Sequence, residues 1–228
     1  MKQVFIILLF VLFVNSYTYS QKGYTTSSGE LIFSFVDPEL NGVSLSSGMR
    51  FSFFFHYGHY WHVDLNNNFG VFSGAFIRNI GFRLTENDQL DMHRAYSVGV
   101  PLAVKLGSFS KHTYLYAGGD YELLFHYKHK RKVDGDKFKK NDWFSDQVNK
   151  FMPCLFAGVQ LPKGLNLRFS YFMKDFLNQD FRGTEFGESV DYTNLKTQVY
   201  FVSLSFNFRT DKYKDVFKKD DDDAFVSL

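Results

Sequence analysis

Sixteen residues, Arg50 to Leu65, alternate from end to end. Phe51, Phe53, Phe55, Tyr57, His59, Trp61, Val63 and Leu65 take one set of positions, and Arg50, Ser52, Phe54, His56, Gly58, Tyr60, His62 and Asp64 take the other. Successive side chains of an extended strand leave opposite faces. One face is therefore almost wholly apolar and aromatic, and the other is mostly polar or small. A helix does not sort residues this way. The stretch exceeds the usual length of a globular strand, and its terminal rings suit a water–lipid interface. It reads as one strand of a transmembrane β-barrel with the rings towards lipid. A soluble sheet with that face on a core is the competing reading.

Composition bears on that choice. Aromatic residues make up 20% of the 228-residue chain, with 29 Phe, which suits a barrel with an apolar band and aromatic girdles. The length fits one domain or a small pair. A net charge of +2 is too balanced to argue for a nucleic-acid partner. Cys154 is the only cysteine, so there is no intrachain disulfide, no cysteine-rich metal site and no N-terminal lipoprotein anchor. Lys2, the apolar run Val4 to Val14 and the polar Asn15 to Ser20 read as a secretory signal. Thr18 and Ser20 stand at −3 and −1 of a cut before Gln21. A membrane anchor is the alternative, but the run falls short of the ~20 residues of a spanning helix. The expected division is a signal at 1–20, a barrel at 21–208 and a charged tail at 209–228.

The chain beyond the signal reads as eight strands. Gln21 to Gly29 reads as a flexible lead-in, Glu30 to Val36 as the first strand, and Asp37 to Gly48 as a loop. Arg50–Leu65 is the second strand, ended by Asn66, Asn67 and Asn68. Phe69 to Leu84 is the third, with a bulge expected from its broken alternation; Thr85 to Asp91 follows as a loop. Ala95 to Leu106 is the fourth, with Tyr96, Val98, Val100, Leu102, Val104 and Leu106 outward and Pro101 a mild objection. Thr113 to Lys128 is the fifth, with Leu115, Ala117, Gly119, Tyr121, Leu123, Phe125 and Tyr127 outward. A charged loop then runs from His129 to Lys150. Phe151 to Leu161 is the sixth, Leu165 to Lys174 the seventh, and Thr197 to Phe208 the eighth, after a loop from Asp175 to Lys196.

Connections after strands two, four and six are short; those after one, three, five and seven are longer. Outer-membrane barrels have an even strand number, short periplasmic turns and long outer loops. The expected fold is an all-β, antiparallel, up-and-down transmembrane barrel of eight strands, or ten if the long loops hide a hairpin. Arg50 then lies near the outside and Asp64 near the periplasm. Closure satisfies every strand amide in a medium that offers no hydrogen bonds. Eight strands leave an interior just wide enough for side chains to fill.

Phe69-Gly70-Val71-Phe72-Ser73-Gly74, Arg78-Asn79-Ile80-Gly81-Phe82, Ala117-Gly118-Gly119 and Phe176-Leu177-Asn178-Gln179-Asp180-Phe181 resemble the small outer-membrane β-barrel domains of Bacteroidota, a group that includes PorT-like proteins. The resemblance spans most of the mature chain. It implies a barrel in the outer membrane and carries no catalytic residues. A last strand ending Phe206-Asn207-Phe208 resembles the signal read by barrel-insertion machinery.

His56, His59 and His62 suggest a metal cluster only in plain text. On a strand His59 faces away from the other two, which stand ~20 Å apart, so no metal or other cofactor is expected. Arg50, Asp64, Lys105, Asp120, Glu122 and Arg168 project inward in this register, as lumen ion pairs or, alternatively, as a transport path. No serine or histidine lies in a recognised nucleophile motif, so no catalytic residue is assigned. Lys128, Lys130, Arg131, Lys132, Lys137, Lys139 and Lys140 outnumber Asp134 and Asp136 in an outer loop. That loop suits anionic lipid heads, lipopolysaccharide phosphates or glycans, and an ordinary solvated loop is the plain alternative. Trp143 and Phe144 follow it, as an interfacial or partner anchor. The expected function is non-enzymatic: a structural, adhesive or assembly-supporting barrel of the outer membrane, reached after signal cleavage. A narrow transport barrel and a lipid-modifying enzyme are the alternatives. A periplasmic or envelope protein partner is conceivable, and nothing in the sequence names one.

Overall fold

A computed structural model of the chain describes residues 22–86 and 89–210. The signal at 1–20 and the tail from 211 onward lie outside the described residues. The elements in order are β1 (Lys22–Leu40), β2 (Val43–Ser44), β3 (Ser47–Gly48), β4 (Arg50–Ser52), β5 (Tyr57–Asp64), β6 (Phe69–Glu86), β7 (Gln89–Ser108), β8 (Thr113–Val133), β9 (Asp136–Trp143), β10 (Phe151–Gln160), a 3-10 turn (Pro162–Gly164), β11 (Leu165–Asp175), β12 (Arg182–Glu185), β13 (Glu188–Asp191) and β14 (Leu195–Arg209).

The sheet runs β10–β11–β14–β1–β5–β6–β7–β8, and β8 pairs with β10 from Phe151↔Leu123 to Gln160↔Tyr114, closing a ring of eight antiparallel strands. Its outer surface carries the apolar alternation. Val98, Val100, Leu102, Val104 and Leu106 of β7 are all exposed, Leu102 at 68%, while Ser97, Gly99, Ala103 and Lys105 between them are buried. Leu155 of β10, Leu167, Phe169, Tyr171 and Met173 of β11, and Phe206 and Phe208 of β14 continue the belt. Polar residues inside and hydrocarbon residues outside invert a soluble protein, and lipid is the solvent that fits. Asn66–Asn68, the residues 109–112 and the 3-10 turn close one end, where β1 starts and β14 stops; this is the turn end. All the longer connections lie at the opposite, loop end.

Several expectations need correction. The lead-in at Gln21–Gly29 is wall from Lys22 on, paired to both β5 and β14. Its serines and threonines hid it, because inward positions of a polar lumen need no apolar residues: Thr26 and Ser28 are buried there. The loops expected at Asp37–Gly48 and Thr85–Asp91 are largely strand, as β1, β6 and β7 run on past the belt. The bulge expected in β6 is absent, since its pairing keeps one register with β5 and with β7. Gly74 and Ala75 instead face Val100 and Pro101 across a short gap in the ladder, where Pro101 lacks a donor. The two long loops each hold a hairpin, β8–β9 and β12–β13, but neither joins the ring. Asp134 and Gly135, both at positive φ, make the β8–β9 turn.

Three irregularities fall where the sequence shows unbroken alternation; one lies between β11 and β14, where Tyr171↔Tyr200 is followed by Asp175↔Gln198, so four steps face two and parity is kept. Arg50–Leu65 breaks after Ser52. Ser52 pairs with Ile32 and Tyr57 with Gly29, so five steps on one strand span three on the other. Phe55 takes φ 65°, and Phe54, expected inside, is exposed. Two extra residues preserve parity, so the other faces of this stretch stand as expected. In β8 the register against β7 shifts between Ser97↔Leu124 and Tyr96↔His126. That single extra residue reverses the faces. Tyr127 and His129 turn inward and are buried, whereas His126 and Lys128 turn outward.

Candidate functional site

The interior is stacked in layers. At the turn end, Lys105 Nζ lies 2.5 Å from Asp64 Oδ1 and donates to Tyr24 Oη at 2.9 Å. His62 stacks on Tyr24 at 4.6 Å and shares a hydrogen bond with Thr26. Above them Tyr60, Phe72, Tyr114, Tyr116 and Phe156 form an aromatic layer. Tyr116 Oη donates to Asn166 Oδ1 at 2.8 Å. A cavity of about 30 Å³ remains among Ser28, Tyr116, Asn166 and Arg168, room for roughly one water.

The charges come next. Arg78 Nε lies 3.3 Å from Glu30 Oε2, and Arg78 Nη1 lies 2.9 Å from Glu122 Oε1 and 3.6 Å from Asp120 Oδ2. Arg168 donates to Asp120, and through Nε to Ser170 at 3.0 Å. Ser97 donates to Glu122. Each guanidinium also lies over a ring, Arg78 over Phe76 at 3.7 Å and Arg168 over Phe156 at 3.8 Å. All five charged side chains are buried. Towards the loop end a second apolar cluster covers them: Ile32, Ile80, Phe82, Leu124, Met152, Phe172, Val199 and Phe201 from the wall, with Val148, Phe176 and Leu177 tucked in from the connections. A bridge pairs Val148 with Leu177. The charged layer thus lies between two apolar ones, and the small cavity beside Glu30 and Arg168 reaches past the aromatic layer to His62 and Asn207.

Asp120, Glu122, Lys105 and Arg168 therefore sit in two separate networks, Lys105 with Asp64 at the turn end and the rest mid-barrel. Arg50 joins neither. The β5–β6 ladder stops at Tyr57↔Ile77 and the β3–β6 ladder resumes at Gly48↔Arg83, so residues 78–82 of β6 face β4 without a strand partner on that side. Side chains fill this seam. Arg50 donates to Asn79 O at 3.2 Å and to Asn79 Oδ1 at 2.8 Å. Asn79 N donates to His56 Nδ1 at 3.3 Å, and His56 Nε2 meets Ser52 Oγ at 2.8 Å. Accepting at Nδ1 fixes His56 as a neutral ring with its proton on Nε2. Ser34 donates to Gly81 O at 2.5 Å.

Sequence reasoning missed Glu30 and Arg78. Both lie on inward positions, but Glu30 opens a short apolar run and Arg78 lies within β6, whose alternation is broken. The three histidines have separate surroundings: His56 in the seam, His62 on Tyr24, and His59 outside against Trp61 and Ser27. Among the described residues, Asp120, Glu122 and Cys154 form the one group close enough to share an ion. Arg78 and Arg168 already pair with those carboxylates, an environment suited to ion pairing rather than to a divalent cation.

Beyond the belt, β6 to β9 rise as a wing at the loop end. Its inner side holds a polar latch. His129 Nε2 lies 2.9 Å from Asp91 Oδ1, and His129 Nδ1 lies 2.8 Å from Glu185 Oε2 on β12. Arg131 pairs with Asp91 at 2.9 Å and with Glu188 of β13 at 2.8 Å. His93 stacks on His129 at 4.1 Å and shares a 2.7 Å hydrogen bond with Tyr127 Oη. Burial alone would lower the His129 pKa; the hydrogen bonds and charges of Asp91 and Glu185 outweigh it, and the net shift is upward. Burial alone would raise Asp91 and Glu185, and hydrogen bonds from His129 bring both below their ordinary values. Burial, then the charge on His129, pushes His93 well down, so His93 stays neutral.

Of the loop cations expected to act together, Lys130, Arg131, Lys132, Lys137, Lys139 and Lys140 divide between two sides. Arg131 and Lys140 are ion-paired, to Asp91 and Glu188 and to Asp142 respectively. Lys130, Lys132, Lys137 and Lys139 stand on the outer side, joined by Lys128. Trp143 and Phe144 are exposed, with Trp143 stacked on His126 at 4.5 Å.

These features define the class: an eight-stranded transmembrane β-barrel whose described interior is packed with side chains, with a ribbon-like wing at one end. No protein-family model matches the chain, and no curated protein matches it. Among solved structures, it is similar to Ail, the attachment invasion locus protein of Yersinia pestis, in complex with the heparin analogue sucrose octasulfate. That match has 14% identity and a TM-score of 0.38, covering 82% of this chain and 99% of the other. Neisserial surface protein A matches at 9% identity and a TM-score of 0.38, covering 82% and 99%. The outer membrane protein OprG from Pseudomonas aeruginosa matches at 12% identity and a TM-score of 0.37, covering 82% and 95%.

Proposed function

We propose that this chain is a non-catalytic outer-membrane barrel with a structural or adhesive role, in which the wall is a plugged anchor and the loop-end wing is the working surface. The observation that carries this reading is the charged layer packed between two apolar ones. Arg78 and Arg168 pair with Glu30, Asp120 and Glu122, two guanidinium groups against three carboxyl groups, between two apolar layers, with space for about one water beside them. An ion entering there would have to displace packed rings and leave charges unpaired. The turn end faces the periplasm and the wing faces outward, in keeping with short periplasmic turns. The kinship with PorT-like barrels and insertion through the Phe206-Asn207-Phe208 end of β14 belong to the same proposal.

Cell fractionation should find the protein in the outer membrane with heat-modifiable migration on a gel. Purified protein in planar bilayers should give no discrete conductance. Stepwise currents altered by Asp120→Asn or Arg168→Gln would replace this reading with the transport barrel. Altered lipid A or phospholipid in a deletion strain, seen by mass spectrometry, would replace it with the enzyme.

A further inference from the structure

The single-residue bulge in β8 sorts the charges of the wing. Directly opposed residues of antiparallel strands share a face. His126 pairs with Trp143, Lys128 with Asn141 and Arg94, Lys130 with Lys139, and Lys132 with Lys137. The outer face of the wing therefore carries Arg94, Lys128, Lys130, Lys132, Lys137 and Lys139. On β7, β8 and β9 the described residues of that face include no carboxylate, because Asp91, Asp136 and Asp142 pair onto the other face. None of the six forms an ion pair among the described residues, and Arg94 Nε is buried without a hydrogen-bond partner.

Two of these pairs set lysine against lysine. Like charges directly opposite destabilise a ladder, and nothing within the described residues relieves them. An anion between them would. The position of the face identifies which anion. At its foot Tyr96, His126 and Trp143 stack side by side across three strands, at 5.7 and 4.5 Å. Directly below that ladder runs the lipid-facing belt of Val98 and Val100. Rings of this kind mark the interface of a bilayer, so Lys128, with Nζ 5.0 Å from the Tyr96 centroid, stands at headgroup height and the other lysines just above.

We propose that the outer face of the β7–β9 wing binds the phosphates of lipid headgroups in the leaflet around the barrel, with Lys128, Lys130 and Lys139 as its centre. The inference rests on the outer-membrane reading. The wall and this face are continuous, so the lipid that wets the belt presents its phosphates to these lysines.

The test uses the full chain in phosphatidylcholine vesicles with spin-labelled phosphatidic acid or spin-labelled phosphatidylcholine as probe. The unsubstituted protein should enrich the phosphatidic acid at its surface about fivefold or more over phosphatidylcholine at low salt. The variant Lys128→Gln/Lys130→Gln/Lys139→Gln should lose most of that preference. A charge-matched variant, Lys140→Gln/Lys163→Gln/Lys196→Gln, should keep it. Equal preference in all three proteins overturns the proposal, as does loss in the charge-matched variant. Equal binding of soluble dextran sulfate without lipid preference also overturns it, in favour of a free polyanion. Heat-modifiable migration from the same vesicles monitors insertion: protein that never inserts overturns the barrel reading itself, whereas inserted protein without lipid preference overturns only this inference.

Discussion

Replacing Arg78 with methionine removes the centre of the mid-barrel network while keeping most of its volume. The change strips Glu30 and Glu122 of their only guanidinium within 4 Å, while Asp120 keeps Arg168. Removing one member of a buried ion pair costs about 3–5 kcal/mol, because the partner remains buried and uncompensated. The contact with Phe76 adds a smaller loss. Urea unfolding of the barrel in lipid vesicles, followed by tryptophan fluorescence and heat-modifiable migration, should show a destabilisation of that size. Adding Glu122→Gln should recover about 1–3 kcal/mol, the coupling expected within one network. A loss below about 1 kcal/mol would mean that interior water solvates the carboxylates. The charged layer would then be wet, and the interior open to ions.

The wing latch should respond to pH on both limbs. The His129 pKa is raised, so its contribution is full below the ordinary histidine value of 6.5 and fades as pH rises through the raised one. The pKa values of Asp91 and Glu185 are lowered, so theirs is full above the ordinary values of 3.8 and 4.5 and fades as pH falls through the lowered ones. A nitroxide at Ser189 should be least mobile between those limits, and His129→Gln should abolish the alkaline limb; mobility unchanged from mild acid to alkali would refute the latch. Gly118→Val should prevent barrel assembly, since a Cβ there would lie 2.1 Å from Leu102 O, while Gly23→Ala, with nothing nearer than 3.9 Å, should assemble normally on a heat-modifiability gel. Cys154, buried among the interior residues, should resist maleimide in the assembled barrel and react when it is unfolded; rapid labelling of the assembled form would show an open interior.

Alternation reveals the wall wherever the outer face is apolar and the inner face polar or small, as in β7, β11 and β14. It failed where the ladder departs from one residue opposite one. The irregularities in β4–β5 and in β8 leave no gap in the pattern of side chains, because they reside in the pairing and not in either strand alone. A shift of two residues went unseen harmlessly, since faces repeat every second residue. A shift of one did not: it placed Tyr127 outside and Lys128 inside, and concealed the separation of the loop cations onto two faces. Glu30 and Arg78 were missed for another reason. An interior charge is recognised by its partners, and these two meet only when β1 and β6 curve round a closed ring.

The seam beside β4 gives the wall one arc of a different kind. Along most of its circumference the hoop is closed by peptide groups, which every residue except proline supplies alike. Along residues 78–82 of β6 it is closed by Arg50, His56, Ser34 and Asn79, and these bonds depend on which side chains are present. Lateral strain on the barrel would therefore be borne there by four side chains. This is where the circumference should first yield and its amides first exchange with solvent, and where a single substitution, Arg50→Met, would change how tightly the cylinder holds shut.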